Sequence, residues 1–537
     1  MMNNTVNDLM MFQMKQDRVQ KMIVNRKSLT AQIVTPCLAI LSGLGPAQNC
    51  EAQIALNPEK APLYASVLYP DLEFYQQLTG LPRGNSAGFP NAFVNPGFEK
   101  KEYNRRPNII VLFIDDLGYG DIGAFGCPDI PTPNIDLLAK EGVSCTNAYT
   151  ICPVCSPSRV GIMTGMYPNR FGVFGNEDRG APIPEDHPTL AEFMRDAGYV
   201  TGMVGRWDIG EPDQGPLAEG FMEVARRSGL PGSDPRRALT DGPSYMESDG
   251  VYLTDRQGDE MVEFVTRHKD KPFFLYFAPL GIHYPVQEVP QKYLDRVPKQ
   301  VTDEHRRHLG ATLIAIDDAI GKVMGAINTL GLDEETLVFF TGDNGGQESG
   351  RGSSPSAYGG SRNLPYRGGK ATPWDGAVHE PFIVRWTNHV PAGKTFDGML
   401  STMDVYATAA AVAGKKAPAR CEGFDLLPYM AGNKKGDVHK VLFWRWLEGA
   451  NHRSVHAVRK GKWRIMRVLE NDPWQLYDLV ADPGEKTNLA GKYPQIVEDL
   501  ALEYTKWAGT LPGPSGKHRE PGGRVPAGTG WATPENP

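Results

Sequence analysis

Short, continuous apolar runs recur through the middle of the chain, and polar, glycine-rich or helix-forming segments separate them. The runs are Ile109 to Ile114, Tyr199 to Val204, Pro272 to Ala278, Thr336 to Thr341 and Phe382 to Trp386. An uninterrupted run of this length is typical of a strand that is covered on both faces, as in a parallel sheet. The pattern therefore predicts that these segments are buried strands of one sheet.

Helical signals lie between the apolar runs. Thr189-Leu-Ala-Glu192 has the form of a capping box that opens a helix, and Gly198 is placed to close it. Apolar residues at helical spacing predict a second helix over His305 to Leu330, and Asp404 to Ala413 is a third. Strands that alternate with helices predict an α/β domain, built on a mainly parallel sheet that helices flank.

The pattern changes in the C-terminal part of the chain. Ser454 to Lys460, Gly461 to Val468 and Trp474 to Leu479 are short strand-like runs separated by turn residues. They predict a small antiparallel β subdomain. We place the α/β domain at residues 105–440 and this subdomain at residues 441–537, which include a Pro- and Gly-rich tail that we expect to be extended.

The N-terminal part of the chain has a composition of its own. Arg26 and Lys27 precede the mostly apolar stretch from Ala31 to Gly45, which resembles the core of a signal peptide, although an ordinary buried helix is an alternative. We expect residues 1–50 to be a signal peptide and leader, and the protein to be exported to the periplasm or the extracellular space. Residues 51–104 are expected to form an irregular extension.

Length, charge and cysteine content exclude several classes of protein. The 537 residues suffice for one large domain and a smaller one. With 56 Lys and Arg against 63 Asp and Glu, and without a basic cluster, nucleic-acid binding is not expected. No stretch reaches the roughly 20 apolar residues of a spanning helix, so we expect no integral membrane segment. Cys37 would leave with the signal peptide, and the other cysteines are too scattered for a disulfide scaffold or a zinc site.

Polar side chains follow two of the predicted strands. Asp115 and Asp116 come after the first apolar run, and Gly342, Asp343 and Asn344 come after the run that starts at Thr336. Ligands of open parallel sheets bind beyond the carboxyl ends of the strands, where these side chains are expected to meet. Their oxygen atoms suit a hard divalent ion such as Ca²⁺ or Mg²⁺. Turns and helix caps are the alternative explanation of such aspartates.

The segment Cys155-Ser-Pro-Ser-Arg159 combines a nucleophile with features of an anion site. Pro157 fits the first turn of a helix, so Cys155 is expected at or just before a helix N-terminus, where backbone N–H groups favour an anion. Arg159, one turn further on, adds a positive charge. A buried structural cysteine near a capped helix is the alternative.

Taken with other motifs, this segment identifies a resemblance to the type I, formylglycine-dependent sulfatases of the alkaline-phosphatase-like superfamily. The resemblance extends from about Arg106 to Ala490. The segments that carry it, in family order, are Pro107 to Asp121, Thr132 to Gly142, Cys155 to Arg159, Lys271 to Phe274, His283 to Pro285, Gly342 to Asn344, Arg367 to Lys370, Leu476 to Leu479 and Asp482 to Glu485.

The resemblance implies that a formylglycine-generating enzyme converts Cys155 to formylglycine, since the Cys-x-Pro-x-Arg signal is intact. The hydrate of that aldehyde would be the nucleophile. The resemblance also places Asp115, Asp116, Asp343 and Asn344 around a Ca²⁺ ion, with the modified Cys155 as a further ligand. Mg²⁺ is the less favoured ion.

The resemblance further implies roles for three basic residues. Arg159 would orient the hydrate, Lys370 would stabilise charge on the sulfate, and His283 as an imidazolium would protonate the departing alcohol. Loss of a proton from the second hydroxyl of the sulfated hemiacetal would then expel sulfate and regenerate the aldehyde.

One motif departs from the family pattern. The family sequence Gly-Lys-Trp-His-Leu-Gly is replaced by Gly205-Arg-Trp-Asp-Ile-Gly210. Arg206 can replace the sulfate-binding lysine, although its planar fork changes the geometry. Three interpretations of Asp208 stay open: it is the base that releases sulfate, it faces away while a histidine such as His379 serves, or the site is impaired.

The resulting expectation is a sulfatase that acts on a sulfated polysaccharide or oligosaccharide, since expected export and a loop-rich rim suit such a substrate. Hydrolysis of phosphate or phosphonate esters in the same fold is one alternative, and a non-catalytic sulfated-glycan-binding protein is another. The aromatic and arginine residues from Phe443 to Trp446 either contact a sugar or brace the C-terminal sheet.

Overall fold

The computed structural model of the chain describes residues 106–178, 183, 186–210, 215–225, 250–283, 289–348, 359–448 and 453–513. The predicted signal peptide and leader at 1–50, the extension at 51–104 and most of the expected tail lie outside these ranges. Within them, no helix has the length and apolar character that are needed to cross a membrane.

The larger sheet contains every apolar run that the sequence analysis predicted as a strand. Its strands are β1 (Asn108–Ile114), β2 (Val143–Tyr149), β3 (Val200–Gly205), β4 (Glu223–Val224), β5 (Phe273–Ala278), β6 (Thr336–Gly342), β7 (His379–Arg385), β8 (Lys394–Phe396) and β9 (Leu400–Ser401). Their order is β4-β3-β5-β1-β6-β7-β2-β8, and β9 pairs with β2. Among these strands β7 alone runs antiparallel to its neighbours, so the predicted mainly parallel sheet is confirmed.

Helices cover both faces of this sheet. They are α1 (Pro133–Glu141), α2 (Cys155–Thr164), α3 (Leu190–Asp196), α4 (Leu253–Arg267), α5 (Gln291–Leu294), α6 (Glu304–Thr329), α7 (Asp404–Val412), α8 (Leu427–Met430) and α9 (Pro494–Ala508), of which α9 belongs to the C-terminal part. On β1, Ile110 and Leu112 share one core with residues of α4 and α6. Ile109 and Val111 share the opposite core with residues of α2, α3 and α7. Because successive side chains of a strand point to opposite faces, burial on both sides explains the continuous apolar run.

The local helix signals are also confirmed. The Thr189 side chain accepts a hydrogen bond from the backbone N–H of Glu192, and the Glu192 side chain reaches back to the N–H of Thr189, which completes the capping box of α3. Helix α2 begins at Cys155, as Pro157 indicated. The sequence analysis did not identify β2, in which Ser144, Thr146 and Asn147 interrupt the apolar pattern.

The C-terminal part forms a separate antiparallel sheet, as predicted from three strand-like runs, and it includes a fourth strand, Leu442–Glu448, that was not predicted. Its strands are β10 (Leu442–Glu448), β11 (Arg453–Lys460), β12 (Trp463–Arg467) and β13 (Gln475–Asp478), in that order. Trp444 and Trp446 are each only 2% exposed, and the Trp444 indole N–H donates to the carbonyl of Thr150 at 2.8 Å. These tryptophans therefore brace the sheet against the larger domain rather than face a sugar.

A buried carboxylate of α6 caps the N-terminus of α1. Asp317 Oδ1 accepts a hydrogen bond from the Ile135 N–H at 2.8 Å, and Oδ2 accepts from the N–H and the side-chain amide of Asn134. The neighbouring Asp318 instead pairs with Arg296 at the protein surface. Adjacent aspartates on one helix thus have opposite environments.

We expect Asp317→Ala to lower the free energy of unfolding by about 1–3 kcal/mol, because it leaves buried N–H groups without an acceptor. Asp318→Ala is the matched control and should cost less than about 1 kcal/mol, as exposed ion pairs do. Burial raises the pKa of Asp317 to about 7. Because this pKa in the folded protein is higher than in the unfolded chain, the free energy of unfolding should fall as the pH rises through about 7. Urea denaturation of both variants at several pH values measures these effects, and equal losses would contradict the capping role.

Candidate active site

The carboxyl ends of β1 and β6 bring the predicted metal-binding residues together. Ile114 pairs with Gly342 at the ends of these parallel strands, so the residues that follow meet at one edge. The Asp116 N–H donates to Asp343 Oδ1 at 3.0 Å, and the Asn344 side-chain amide donates to Asp116 Oδ1 at 2.8 Å. Asp115, Asp116, Asp343 and Asn344 are all fully buried.

Cys155 joins this group from the first residue of α2. One potential ligand atom from each of Asp115, Asp116, Cys155 and His283 lies within 4.8 Å of the others. Because helix N–H groups at this end favour negative charge, the position suits a nucleophile that handles an anion. The predicted meeting of Cys155 with the acidic residues is thus seen in the fold.

Arg159, one helical turn after Cys155, points into the same cluster. Its Nη2 lies 3.0 Å from Asp115 Oδ2 and 3.0 Å from Asp343 Oδ2. Its Nη1 donates to the carbonyl of Arg206 at 2.7 Å. The guanidinium is therefore fixed between two carboxylates and the segment that follows β3.

Arg206 and Asp208 occupy the loop after β3, where the family pattern changes. Gly205 begins this loop with a φ of +111°, and a Cβ there would lie 2.1 Å from the carbonyl oxygen of Ala278, so glycine is needed. Arg206 Nη1 contacts Asp115 Oδ2 at 2.6 Å, and its Nη2 contacts Asp208 Oδ2 at 2.8 Å. Asp208 is buried with a φ of +61°, a backbone region that aspartate enters more readily than most residues. Arg206, which also contacts Asp115, therefore fixes the position of the Asp208 carboxylate.

Lys370 and His283 close the cluster from two loops. Lys370 Nζ lies 2.5 Å from Asp116 Oδ1 and 3.2 Å from His283 Nε2. An ammonium can only donate, so His283 Nε2 accepts, and its proton resides on Nδ1. Burial and the charge of Lys370 lower the pKa of His283 to about 4, so the imidazole is neutral in the free site at pH 7.

The surrounding positive charges do not neutralise the carboxylates of the site equally. Burial alone would raise the pKa of Asp115, but the charges of Arg206 and Arg159 hold it well below its usual range. Burial, followed by the Asp115 carboxylate, raises the pKa of Asp343 well above its usual range. The positive side chains around Asp343 are thus not sufficient to keep it ionised.

Two buried oxygen atoms support a cation at this position. Asp115 Oδ1 and Asn344 Oδ1 have no hydrogen-bond partner among the described residues, although both atoms are buried. Buried polar atoms normally find a partner, and these belong to the residue types that hard divalent ions prefer. The residues present therefore fit a Ca²⁺ or Mg²⁺ ion.

The structure adds Asn176 to the site, which the sequence analysis did not identify. Its Oδ1 accepts a hydrogen bond from the Ser156 N–H at 3.1 Å, and this contact directs its Nδ2 toward Cys155 Sγ at 3.9 Å. Asn176 begins a short 3₁₀-helix twenty-one positions after Cys155 and carries no motif of its own, so the sequence offers no signal for this contact.

His379, the histidine considered as an alternative base, has both ring nitrogens engaged elsewhere. Nδ1 contacts Asp375 Oδ2 at 2.8 Å, and Nε2 contacts the carbonyl of Thr146 at 2.9 Å. The ring also stacks on Tyr366 with a centroid distance of 3.7 Å. To accept a proton at the active site, His379 would have to give up one of these bonds.

Comparison with known proteins gives consistent similarities. The model of the Sulfatase family matches residues 107–415, and that of the N-sulphoglucosamine sulphohydrolase C-terminal region matches residues 370–507. Arylsulfatase A of Homo sapiens is 33% identical over 461 residues, which cover 74% of this chain and 86% of the relative. N-acetylgalactosamine-6-sulfatase of Canis lupus familiaris is 33% identical over 392 residues, which cover 63% of this chain and 72% of the relative.

Solved structures also resemble the chain. The crystal structure of Ps i-CgsB in complex with k-i-k-neocarrahexaose has a TM-score of 0.67 and 30% sequence identity, and the match covers 76% of this chain and 94% of that chain. Together with the observed sheets, this likeness confirms the predicted alkaline-phosphatase-like fold.

We expect Ca²⁺ to raise the thermal unfolding midpoint of metal-free protein, because an ion bound only to the native state stabilises it, by about 2.7 kcal/mol at 100 times its dissociation constant. Asn344→Leu, which removes the buried Asn344 Oδ1 atom that is predicted to bind the ion, should abolish the rise. Asp478→Asn, in the C-terminal sheet where Asp478 pairs with Lys462, is the control and should keep the rise. Differential scanning calorimetry with and without Ca²⁺ measures the shift, and an undiminished response of Asn344→Leu would contradict the site.

Proposed function

Because the chain belongs to the sulfatase family and is a sulfuric ester hydrolase, we propose that it acts through a formylglycine made from Cys155 and a Ca²⁺ ion at the ends of β1 and β6. The observation that carries the proposal is the convergence of Cys155 with the acidic residues, His283 and Lys370 in one buried site. A formylglycine-generating enzyme would be the partner that modifies Cys155.

Asp115, Asp116, Asp343 and Asn344 would hold the ion, with the modified Cys155 side chain as a further ligand. A bound Ca²⁺ would act as a Lewis acid that lowers the pKa of the attacking hydroxyl. Its charge would also counteract the burial and the Asp115 carboxylate, which together raise the pKa of Asp343. After conversion of Cys155, a hydrate oxygen of formylglycine would take the place of the Cys155 sulfur in this cluster.

The basic residues would bind and polarise the sulfate group. Lys370 Nζ lies beside both Asp116 and His283, so it would reach a sulfate oxygen and the bridging oxygen from one position. Arg159 would keep the nucleophile oriented from the first turns of α2. Fixed cations of this kind act strongly in a buried site because they need no reorganisation when charge develops.

His283 would deliver a proton to the departing alcohol. The pKa of His283 is lowered in the free site by burial and by Lys370, so a proton on both ring nitrogens requires extra negative charge. An anionic sulfate ester beside Lys370 supplies such charge. The leaving oxygen would then receive the proton as the ester bond breaks.

Asp208 would be the base that removes the final proton and releases sulfate. Arg206 holds Asp208 Oδ2 at 2.8 Å and keeps the carboxylate beside the metal-binding edge. The alternative base, His379, has both nitrogens bound to other groups. Asn176, which contacts Cys155, would donate to the nucleophile oxygen and fix its direction.

The substrate we propose is a sulfated polysaccharide or oligosaccharide, met outside the cytoplasm after export. The solved structure of Ps i-CgsB holds a neocarrahexaose, and a curated relative is an N-acetylgalactosamine-6-sulfatase, which supports a sugar substrate for this chain. The phosphate or phosphonate alternative is less well supported, since the curated relatives named above are sulfatases.

Release of sulfate and of phosphate from matched aryl esters tests the reaction, and a panel of defined sulfated oligosaccharides tests the substrate. We expect sulfate release by protein whose Cys155 is an aldehyde by peptide mass, and retention without turnover would instead support the glycan-binding alternative. Faster phosphate release, or activity confined to small aryl or steroid sulfates, would contradict the proposal.

Asp208→Asn should slow turnover by roughly 10²–10⁴-fold, since an amide cannot act as the base. The first release of alcohol should remain, so sulfate bound to residue 155 should accumulate. Asp208→His, which restores the family residue, should keep substantial activity. Mass spectrometry of the residue-155 peptide during turnover measures the accumulation, and normal turnover by Asp208→Asn would rule out the base role.

His283→Asn should reduce kcat/KM for a sugar sulfate by roughly 10²–10⁴-fold, because an alcohol is a poor leaving group without a proton. An aryl sulfate with an acidic phenol needs less protonation and should lose much less. Parallel kinetics on the two esters measure the difference, with Cys155 conversion matched between samples. Equal losses on both esters would argue against proton donation by His283.

A further inference from the structure

The segment that carries Lys370 is irregular, and a 3₁₀-helix begins only at its end, at Asp375. We call residues 367–375 the lysine loop. Its middle is tied to the site by backbone contacts, in which the Lys370 N–H donates to Gly346 at 3.2 Å and the Ala371 N–H donates to Pro153 at 2.9 Å. Without a regular hydrogen-bond ladder, the conformation of such a segment depends on contacts from neighbouring elements.

Glu485, from the turn region after β13, contacts both ends of the lysine loop. Its Oε2 accepts a hydrogen bond from the Asp375 N–H at 2.7 Å. Its backbone carbonyl accepts from Arg367 Nη1 at 3.0 Å. Glu485 is fully buried and has a φ of +49°, so its position is fixed by its surroundings. One residue of the C-terminal part thus spans the loop that reaches the active site.

Arg464 of β12 completes this contact. Its Nη1 pairs with Glu485 Oε1, and its Nη2 donates to the carbonyl of Pro373 at 2.7 Å. Its Nε lies 3.6 Å from Asp375 Oδ1. Arg464 as a residue is only 1% exposed. Three residues of the lysine loop, Arg367, Pro373 and Asp375, therefore contact a single arginine and glutamate pair.

Stability alone is a weak explanation for this pair. Burial of two charges costs solvation energy that the attraction between them does not always recover, and apolar replacements of similar volume are often equally stable. The pair does, however, fix directions, since each partner spends its remaining hydrogen bonds on the lysine loop.

We propose that Glu485 and Arg464 are positioning residues that hold the lysine loop so that Lys370 Nζ stays between Asp116 and His283. Through these two residues the C-terminal part would contribute to sulfate ester hydrolysis by fixing the position of Lys370. This role rests on the proposed function, because it depends on Lys370 binding the sulfate group.

Glu485→Gln and Arg464→Lys test the proposal, and Tyr504→Phe is the matched control. Tyr504 makes a 2.6 Å hydrogen bond to the buried His456 of the same subdomain, away from the lysine loop. We expect the first two variants to lose roughly 10- to 100-fold in kcat/KM, the scale of a small displacement of a catalytic group. Tyr504→Phe should lower the denaturation midpoint but keep kcat/KM. Equal kcat/KM in all three variants would overturn the proposal.

A double-mutant cycle with Lys370→Met separates positioning from general damage. If Glu485 acts through Lys370, then Glu485→Gln should have little further effect on kcat/KM once Lys370 is replaced. Losses that simply add would show that Glu485 does not act through the lysine.

Hydrogen exchange of the peptide spanning residues 367–376 gives a readout that needs no turnover. Its amides should exchange faster in Glu485→Gln and Arg464→Lys than in wild type or Tyr504→Phe. Unchanged exchange would overturn the positioning role even in an active enzyme. Wild type that releases no sulfate would contradict the proposed function, while the exchange comparison would still decide the role of Glu485. If Glu485→Gln does not fold, the conservative Arg464→Lys variant carries both measurements.

Discussion

Buried charges at the carboxyl ends of β1 and β6 are the constraint on which the rest of the structure depends. Asp115 accepts contacts from both Arg159 and Arg206, and Asp116 accepts one from Lys370. Each cation arrives on a different element, from α2, the loop after β3 and the lysine loop. Removing one partner from such a cluster leaves an uncompensated buried charge, which is far more costly than a lost surface pair. The two hydrophobic cores and the C-terminal sheet therefore hold the elements whose cations meet at the carboxyl ends of β1 and β6.

Arg206 and Asp208, which stand where the family pattern has a lysine and a histidine, form an ion pair with each other. The planar guanidinium contacts Asp115 and Asp208 through different nitrogens, which a single ammonium group could not do with the same geometry. Asp208 brings a negative charge, but it comes paired, so the charge close to a bound sulfate ester is smaller than an isolated carboxylate would create. The two substitutions are best understood as one unit.

The sequence predicted the parts of the fold and site that depend on local pattern. The strand β1 follows from an apolar run, α3 from its capping box, and Asp115 and Asp343 from their places after strands. Contacts between distant segments gave no such signal: Arg464 meets Pro373, and Asn176 meets Cys155, only through tertiary packing. The antiparallel direction of β7 is likewise invisible, because a doubly covered strand has the same apolar pattern in either direction. The hydrogen bond between His379 and Asp375 was likewise not predicted from the sequence.

The position of β1 in the sheet has a consequence for synthesis of the chain. Its neighbours are β5 and β6, with Ile109 beside Phe274 and Leu337. A ribosome makes the segment Asn108-Ile-Ile-Val-Leu-Phe-Ile114 well before either neighbour exists. Until then this apolar strand has both edges unpaired, and such segments favour slow folding and association with other chains. This strand, whose seven residues are all fully buried in the folded chain, is therefore an aggregation hazard while the chain is being made, and chaperone binding would protect it in that interval.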